Sequence, residues 1–399
     1  MKNFIVFVSI LLIWVGCQKS GESEKELEEL IEHSLETAVT QYKALHEAVP
    51  EDRSPQTIVS TTNDSLVTSE SDWWVSGFFP GSLWYLSEFS ESDSLKKIAK
   101  ERTWAIEQEK NNASDHDIGF KIYCSFGNAF RITGDSAYAD VMMTAAETLT
   151  KRYDEDVQAI RSWGDKDDQE GPYQVIIDNM MNLELLFWAT GYSGDSTYAD
   201  IAINHADKTL EHHFRDDGSS YHVVDYDPQT GEVLEKRTAQ GYADSSAWAR
   251  GQAWGLYGYT MAYRETGFDR YLKKAKEIAD FLLDHPRLPD DNIPYWDFDA
   301  PKQGGEKLRD ASAGAIMASA LLELSNYAGN EKEVTYYKNA EQIVQSLSQA
   351  PYRSKVGENA NFLLQHSVGN MPQGGEIDVP LTYADYYYLE AMKRLFEYR

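Results

Sequence analysis

The sequence predicts an all-α fold, an (α/α)6 barrel of six inner and six outer helices with a small β-hairpin in one long rim loop. Three observations point there. The first is an internal repeat: Thr133-Gly134-Asp135-Ser136-Ala137-Tyr138-Ala139-Asp140 returns as Ser193-Gly194-Asp195-Ser196-Thr197-Tyr198-Ala199-Asp200, and more loosely as Thr266-Gly267-Phe268-Asp269-Arg270-Tyr271. The second is what flanks each copy. An apolar helix precedes it and an amphipathic helix follows, with Gly closing the first in a left-handed turn and Asp capping the next. The third is that the stretches ahead of the apolar helices are long and varied. An open solenoid would have more uniform repeats and more polar end helices, whereas long loops gathered at one end of a rigid scaffold usually carry function.

Taken in order, Met1 to Cys17 reads as a signal peptide: Lys2, an apolar run from Phe4 to Val15, then Gly16-Cys17. The run is too short to span a bilayer. A small residue followed by Cys resembles a bacterial lipoprotein cleavage site, so Cys17 is expected to be the lipidated first residue of a mature chain that has no transmembrane helix and is tethered by acyl chains to the cell envelope or periplasm. An ordinary secretory signal or an uncleaved anchor is the alternative. Residues 18–399 are expected to form one domain. Residues 22–49 form a charged amphipathic helix, and 51–71, polar with Pro and Thr, read as loop. Asp72 to Gly81 is dense in aromatics and glycine. Apolar helices are expected near 76–89, 117–133, 172–190, 246–265, 308–326 and 380–396, and amphipathic ones near 22–49, 93–110, 135–151, 195–212, 268–284 and 330–345. Ser219 to Arg237 alternates around Asp227-Pro228-Gln229-Thr230-Gly231 and reads as the hairpin.

A net charge of −28 argues against nucleic acid, which needs a basic surface. Aromatics make up 13% of the chain, with ten Trp and twenty-five Tyr, a surplus that suits a cleft stacking sugar rings. The two cysteines, Cys17 and Cys124, suggest neither a disulfide framework nor a zinc site. No nucleotide-binding glycine loop, HExxH or GxSxG motif is present.

The chemistry centres on Gln174 to Trp188, apolar on nearly every side and therefore expected to be a helix buried all round. Asp178 sits in its first turns and Asn182 one turn further on. A carboxylate there is costly unless paired, hydrogen-bonded or neutral. It is either a helix cap or a catalytic carboxyl tuned by apolar surroundings. Asp117, in His116-Asp117-Ile118-Gly119-Phe120, heads the preceding inner helix, so the two acids would converge on one rim, as paired carboxylates do in glycosidases. His222 lies in the hairpin loop. Arg250 and Trp254 are four apart at an inner-helix start, either a cation with an aromatic platform for an acidic sugar or a packing pair.

His116-Asp117-Ile118-Gly119-Phe120, Ile176-Ile177-Asp178-Asn179, Ser220-Tyr221-His222, Gln240-Gly241-Tyr242, Ser246 to Gly255 and Tyr383 to Ala391 together resemble the unsaturated glucuronyl hydrolases, from about Trp73 to the C-terminus. That family's fold is the same barrel. The resemblance implies a substrate that is an oligosaccharide left by a polysaccharide lyase and ending in a 4,5-unsaturated uronic acid, and it implies no metal or cofactor. It implies Asp178 as general acid/base and Asp117 as partner carboxylate, aromatic contacts from Trp74, Phe78, Trp163 and Trp254, and polar contacts from His222, Gln240 and Arg250. Ala239 stands where some members carry His, and the loop Gly369 to Glu376 also departs from some members; both bear on the sugar or sulfation pattern preferred. The alternatives are an unsaturated rhamnogalacturonyl hydrolase with the same barrel and reaction, a non-catalytic glycan-binding lipoprotein, which has no need of two Asp at paired helix heads, and a barrel epimerase, expected to use His pairs.

Overall fold

The computed structural model describes residues 3–397 apart from 166, 169 and 302–307, with side chains from Lys25 onward and not at position 330. The predicted leader and Cys17 lie outside the described side chains. Among the described residues twelve α-helices alternate between two rings. The outer ring holds α1 (Asn3–Ala48), α3 (Asp93–Trp104), α5 (Ser136–Thr150), α7 (Thr197–His212), α9 (Asp269–Leu283) and α11 (Asn330–Leu347); the inner ring holds α2 (Phe78–Ser90), α4 (Asn128–Thr133), α6 (Leu183–Ser193), α8 (Ala249–Thr266), α10 (Ala311–Ala328) and α12 (Thr382–Glu397). Each outer helix packs on its inner neighbour, and the ring closes where α12 meets α2. The reason is visible along each pair: α8 and α10 are buried through most of their length, whereas α9 buries only one stripe, Tyr271, Ala275, Ile278, Ala279 and Leu282. Among the described residues no helix is long and apolar enough to cross a membrane.

The three glycine turns form as expected, but the Asp cap forms only in the first two copies, since α9 has Phe268 as its N-cap with no side-chain cap. Gly134, Gly194 and Gly267 close α4, α6 and α8 with φ of 67°, 78° and 67°, a region open to Gly at little cost. Asp135 caps α5 by accepting from Ala137 N–H, and Asp195 accepts from Thr197 N–H.

Three departures matter. The inner helix before α4 opens as a π-helix, Gly119–Gly127. The one before α6 opens as a 3-10 turn, Ile177–Asn182, and residues expected to begin that helix are instead a strand. This strand is β5 (Tyr173–Ile176), following β1 (Ser54–Ser60), β2 (Asn63–Ser69), β3 (Tyr153–Asp154) and β4 (Ala159–Ile160), and preceding β6 (Val223–Tyr226), β7 (Val233–Arg237), β8 (Ser367–Asn370) and β9 (Gly375–Val379). β6 and β7 are the predicted hairpin, and β5 joins it antiparallel, with Val175 opposite Val224. The β-branched Val175 and Ile176 gain a strand partner there that no local signal announces. Residues 51–71, read as loop, instead hold the β1–β2 hairpin, in which Thr57 pairs with Val67 and Ile58 with Leu66.

Candidate active site

Asp117 and Asp178 stand at the heads of adjacent inner helices, at the end of the barrel where the long loops gather. Strand pairing sets the position of Asp178. Ile176 faces Val223, and Ile177 N–H donates to the His222 carbonyl at 3.0 Å, which brings His222 beside Asp178. Its Nε2 lies 3.7 Å from Asp178 Oδ2. Its Nδ1 accepts from the backbone N–H of Ala239 and Gln240 at 3.1 and 3.2 Å, so the neutral ring carries its proton on Nε2, aimed at the carboxyl. Burial, aided by the Arg250 charge, holds His222 well below the ordinary imidazole range, so it stays neutral.

Asp117 has a matching partner. His116 Nε2 lies 3.5 Å from Asp117 Oδ1, and burial lowers His116 to about 4. Asn182 joins the two helix heads. Its Oδ1 accepts Phe120 N–H at 2.8 Å, which turns its Nδ2 toward His116 Nδ1 at 3.4 Å and Asp117 Oδ1 at 3.5 Å. The heads can approach this closely because position 119 is Gly: a Cβ there would meet Asn182 Cα at 2.6 Å.

Both carboxyls are driven toward the neutral form. The Asp178 side chain is 15% exposed, and its pKa rises from 3.8 to about 6, chiefly through burial; His116 and Arg250 oppose this and Asp117 adds to it. Asp117 rises further, to about 8, through burial and then the Asp115 carboxylate, which also accepts Asp117 N–H at 2.8 Å. Below about pH 6 Asp178 holds a proton to give, and the carboxylate left behind can take one back. Asp178 Oδ2 is buried and has no hydrogen-bond partner.

The other predicted site residues divide. Trp163 stands edge-on to His222 at 5.7 Å, and Trp248, which sequence reasoning did not single out, packs against the same ring at 4.5 Å. Trp74 is part-buried and lies 4.8 Å from Tyr383. Phe78 and Trp254 are 0% exposed and pack in an aromatic cluster with Phe120 and Tyr387, so neither presents a ring face to the cleft. Arg250 does not stack on Trp254. Its guanidinium lies over Trp248 at 4.6 Å and Tyr383 at 5.4 Å, drawn there by Asp310 at 3.1 Å and the carbonyls of Val368 and Gly369 at 2.5 and 2.6 Å. It is 2% exposed, so the packing reading accounts for much of it, and it holds Gln240 by its Oε1 at 3.4 Å. Asp310 is a buried cap, accepting Ser312 N–H at the head of α10. Sequence reasoning also left His116 without a role, although it lies beside Asp117 in the motif.

Two neighbouring carboxyls among aromatic rings at one end of an α-helical barrel are the equipment of a carbohydrate-cleaving enzyme. The comparisons agree: the Glycosyl Hydrolase Family 88 model matches residues 52–398, and the chain belongs to that family. It is 42% identical to an unsaturated glucuronyl hydrolase of Formosa agariphila over 99% of this chain and 98% of that protein. It is 33% identical to an unsaturated chondroitin disaccharide hydrolase of Streptococcus agalactiae, over 93% of this chain and 92% of that protein. Among solved structures, it matches an unsaturated glucuronyl hydrolase specific for heparin with a TM-score of 0.88 at 43% identity, covering 93% of this chain and 98% of that one.

Proposed function

We propose that this enzyme releases the terminal 4,5-unsaturated uronic acid from lyase-generated oligosaccharides of a glycosaminoglycan-type acidic polysaccharide, by hydrating the C4=C5 bond. The observation that carries this is Asp178, a carboxyl raised to about 6 with one buried oxygen free of partners. The C4=C5 bond and the ring oxygen form a vinyl ether. Asp178 gives its proton to C4, and the ring-oxygen lone pair stabilises the cation left at C5. The resulting carboxylate takes a proton from water as that water adds to C5. The hemiketal opens to a C5 ketone, and the hemiacetal left at C1 expels the remaining saccharide. Asp117, neutral where Asp178 titrates, holds sugar hydroxyls. His222 points its Nε2 N–H at Asp178 from 3.7 Å, Trp74 and Trp163 offer ring faces, and Arg250 fixes Gln240 and the β8 backbone around the acidic end of the substrate. The names of the similar proteins, which specify heparin and chondroitin disaccharides, support the glycosaminoglycan class.

We further propose that the chain is a lipoprotein of the cell envelope or periplasm, anchored through Cys17. The short apolar run closed by Gly16-Cys17 supports this reading. The catalytic reading is tested by a rate panel on disaccharides from heparin, chondroitin and rhamnogalacturonan lyases, followed by loss of the ultraviolet absorbance of the unsaturated bond. Turnover confined to rhamnogalacturonan products would overturn the substrate class, and no turnover on any of them would overturn the reaction.

A further inference from the structure

We propose that the barrel carries a second saccharide-binding site at the end opposite Asp117 and Asp178, one that takes a short neutral sugar. A cavity of about 430 Å³ opens there, within the range of about 300–1,000 Å³ that holds small ligands. Its lining comes from the π-helix Gly119–Gly127 and α4, from Met181 and α6, and from α12, with Tyr85 of α2 and Tyr257 of α8. The connections at this end are short, since α2, α4 and α6 pass to the next helix through the gaps 91–92, 134–135 and 194–196, so no long loop covers the mouth.

Aromatic rings form its walls: Tyr85, Tyr123, Phe130, Trp188 and Tyr257. Trp188 lies parallel to Tyr192, with ring centroids 5.0 Å apart and an interplanar angle of 14°, and Phe130 meets both edge-on. Tyr192, 47% exposed, does not line the cavity itself; it stacks on Trp188 and holds that lining ring in place. A pyranose presents an apolar face to such rings and hydroxyls to the polar groups around them.

The polar groups select a neutral guest. Arg131, Lys393 and Arg394 face Glu184, Glu390 and Glu397, three cations against three carboxylates. Each cation is already paired: Arg131 with Glu88 at 2.9 Å, Lys393 with Glu88 at 3.4 Å, and Arg394 with Glu323 at 2.9 Å. Nothing there is left over to neutralise a uronate or sulfate, and the net charge of −28 repels both. The same paired groups keep hydrogen-bonding capacity for hydroxyls. This site goes beyond the reaction proposed above and does not rest on it.

The test is calorimetric titration of the full chain with cellobiose and with N,N′-diacetylchitobiose. At least one is expected to bind saturably. Tyr192→Ala, at an exposed position, is expected to weaken that binding about fivefold, the scale of one aromatic contact, and Trp188→Ala by at least as much. Trp163→Ala, at the other rim, should leave it unchanged, and Tyr192→Ala should keep full hydrolytic activity. No saturable binding by either sugar up to about 50 mM, weaker than any useful affinity, would overturn the proposal. So would binding indifferent to Tyr192→Ala. A dimer lost in Tyr192→Ala would show instead that a second copy covers this face, and would overturn it too.

Discussion

Replacing Asp178 with Asn should make the protein more stable at neutral pH while it disables the enzyme. In the folded protein the pKa is about 6, against 3.8 for the ordinary carboxyl. A raised folded pKa means that ionisation is easier in the unfolded chain. Stability is therefore unaffected well below 3.8 and is lost as pH climbs from there through 6. Asn keeps the shape and never ionises, so the variant escapes that loss. Integrated over the titration, its advantage is about 1 kcal/mol at pH 4.5 and about 3 kcal/mol at pH 7.5. Both are ceilings, because the side chain is 15% exposed and solvent screens part of the penalty. Urea unfolding of both proteins at the two pH values reads the difference directly. The same variant should lose at least about a hundredfold in turnover, the scale of general acid/base catalysis. If the wild type is as stable as the variant at pH 7.5, burial does not raise the pKa of Asp178, and the account of its proton fails.

Asp117, raised to about 8, is neutral where Asp178 titrates, so Asp117→Asn should lower activity while leaving the pH profile near 6 in place; a profile moved to lower pH would show that Asp117 is ionised there and pushes Asp178 up. Arg250→Ala strands the buried Asp310 carboxylate and two carbonyls, so it should cost about 3–5 kcal/mol of stability in denaturant as well as activity; a variant that is fully stable but inactive would make Arg250 a ligand contact alone. Cys17→Ser should move the protein from the membrane fraction to the soluble one, and unchanged fractionation with an unmodified wild-type N-terminus would remove the anchor.

The twelve helices were legible because their cues are local and agree with one another. Gly134, Gly194 and Gly267 each follow an apolar run and precede an amphipathic one, and each is the left-handed cap that such a residue predicts. Asp117 and Asp178 followed from their positions at matching helix heads. Long-range partners decided the rest. Tyr173–Ile176 reads as helix until Val223–Tyr226 is beside it. The setting of Arg250 depends on Asp310, 60 residues away, and on the Val368 carbonyl, 118 away, so spacing alone paired it with the wrong tryptophan. The tautomer of His222 is set by the backbone N–H groups of Ala239 and Gln240, which no side-chain motif encodes. Ala239 thus contributes through its main chain whatever its side chain.

The central claim is that water adds to C5, with scission of the sugar link as its consequence. A substrate analogue with a methylene group in place of the glycosidic oxygen separates the two events. If Asp178 protonates C4, the analogue should lose the ultraviolet absorbance of its double bond, at a rate within about tenfold of the natural disaccharide, and yield the open-chain C5 ketone with its carbon link intact. If the absorbance persists while the oxygen-linked substrate is consumed, the enzyme attacks the glycosidic bond directly, and the two carboxyls belong to ordinary glycoside hydrolysis.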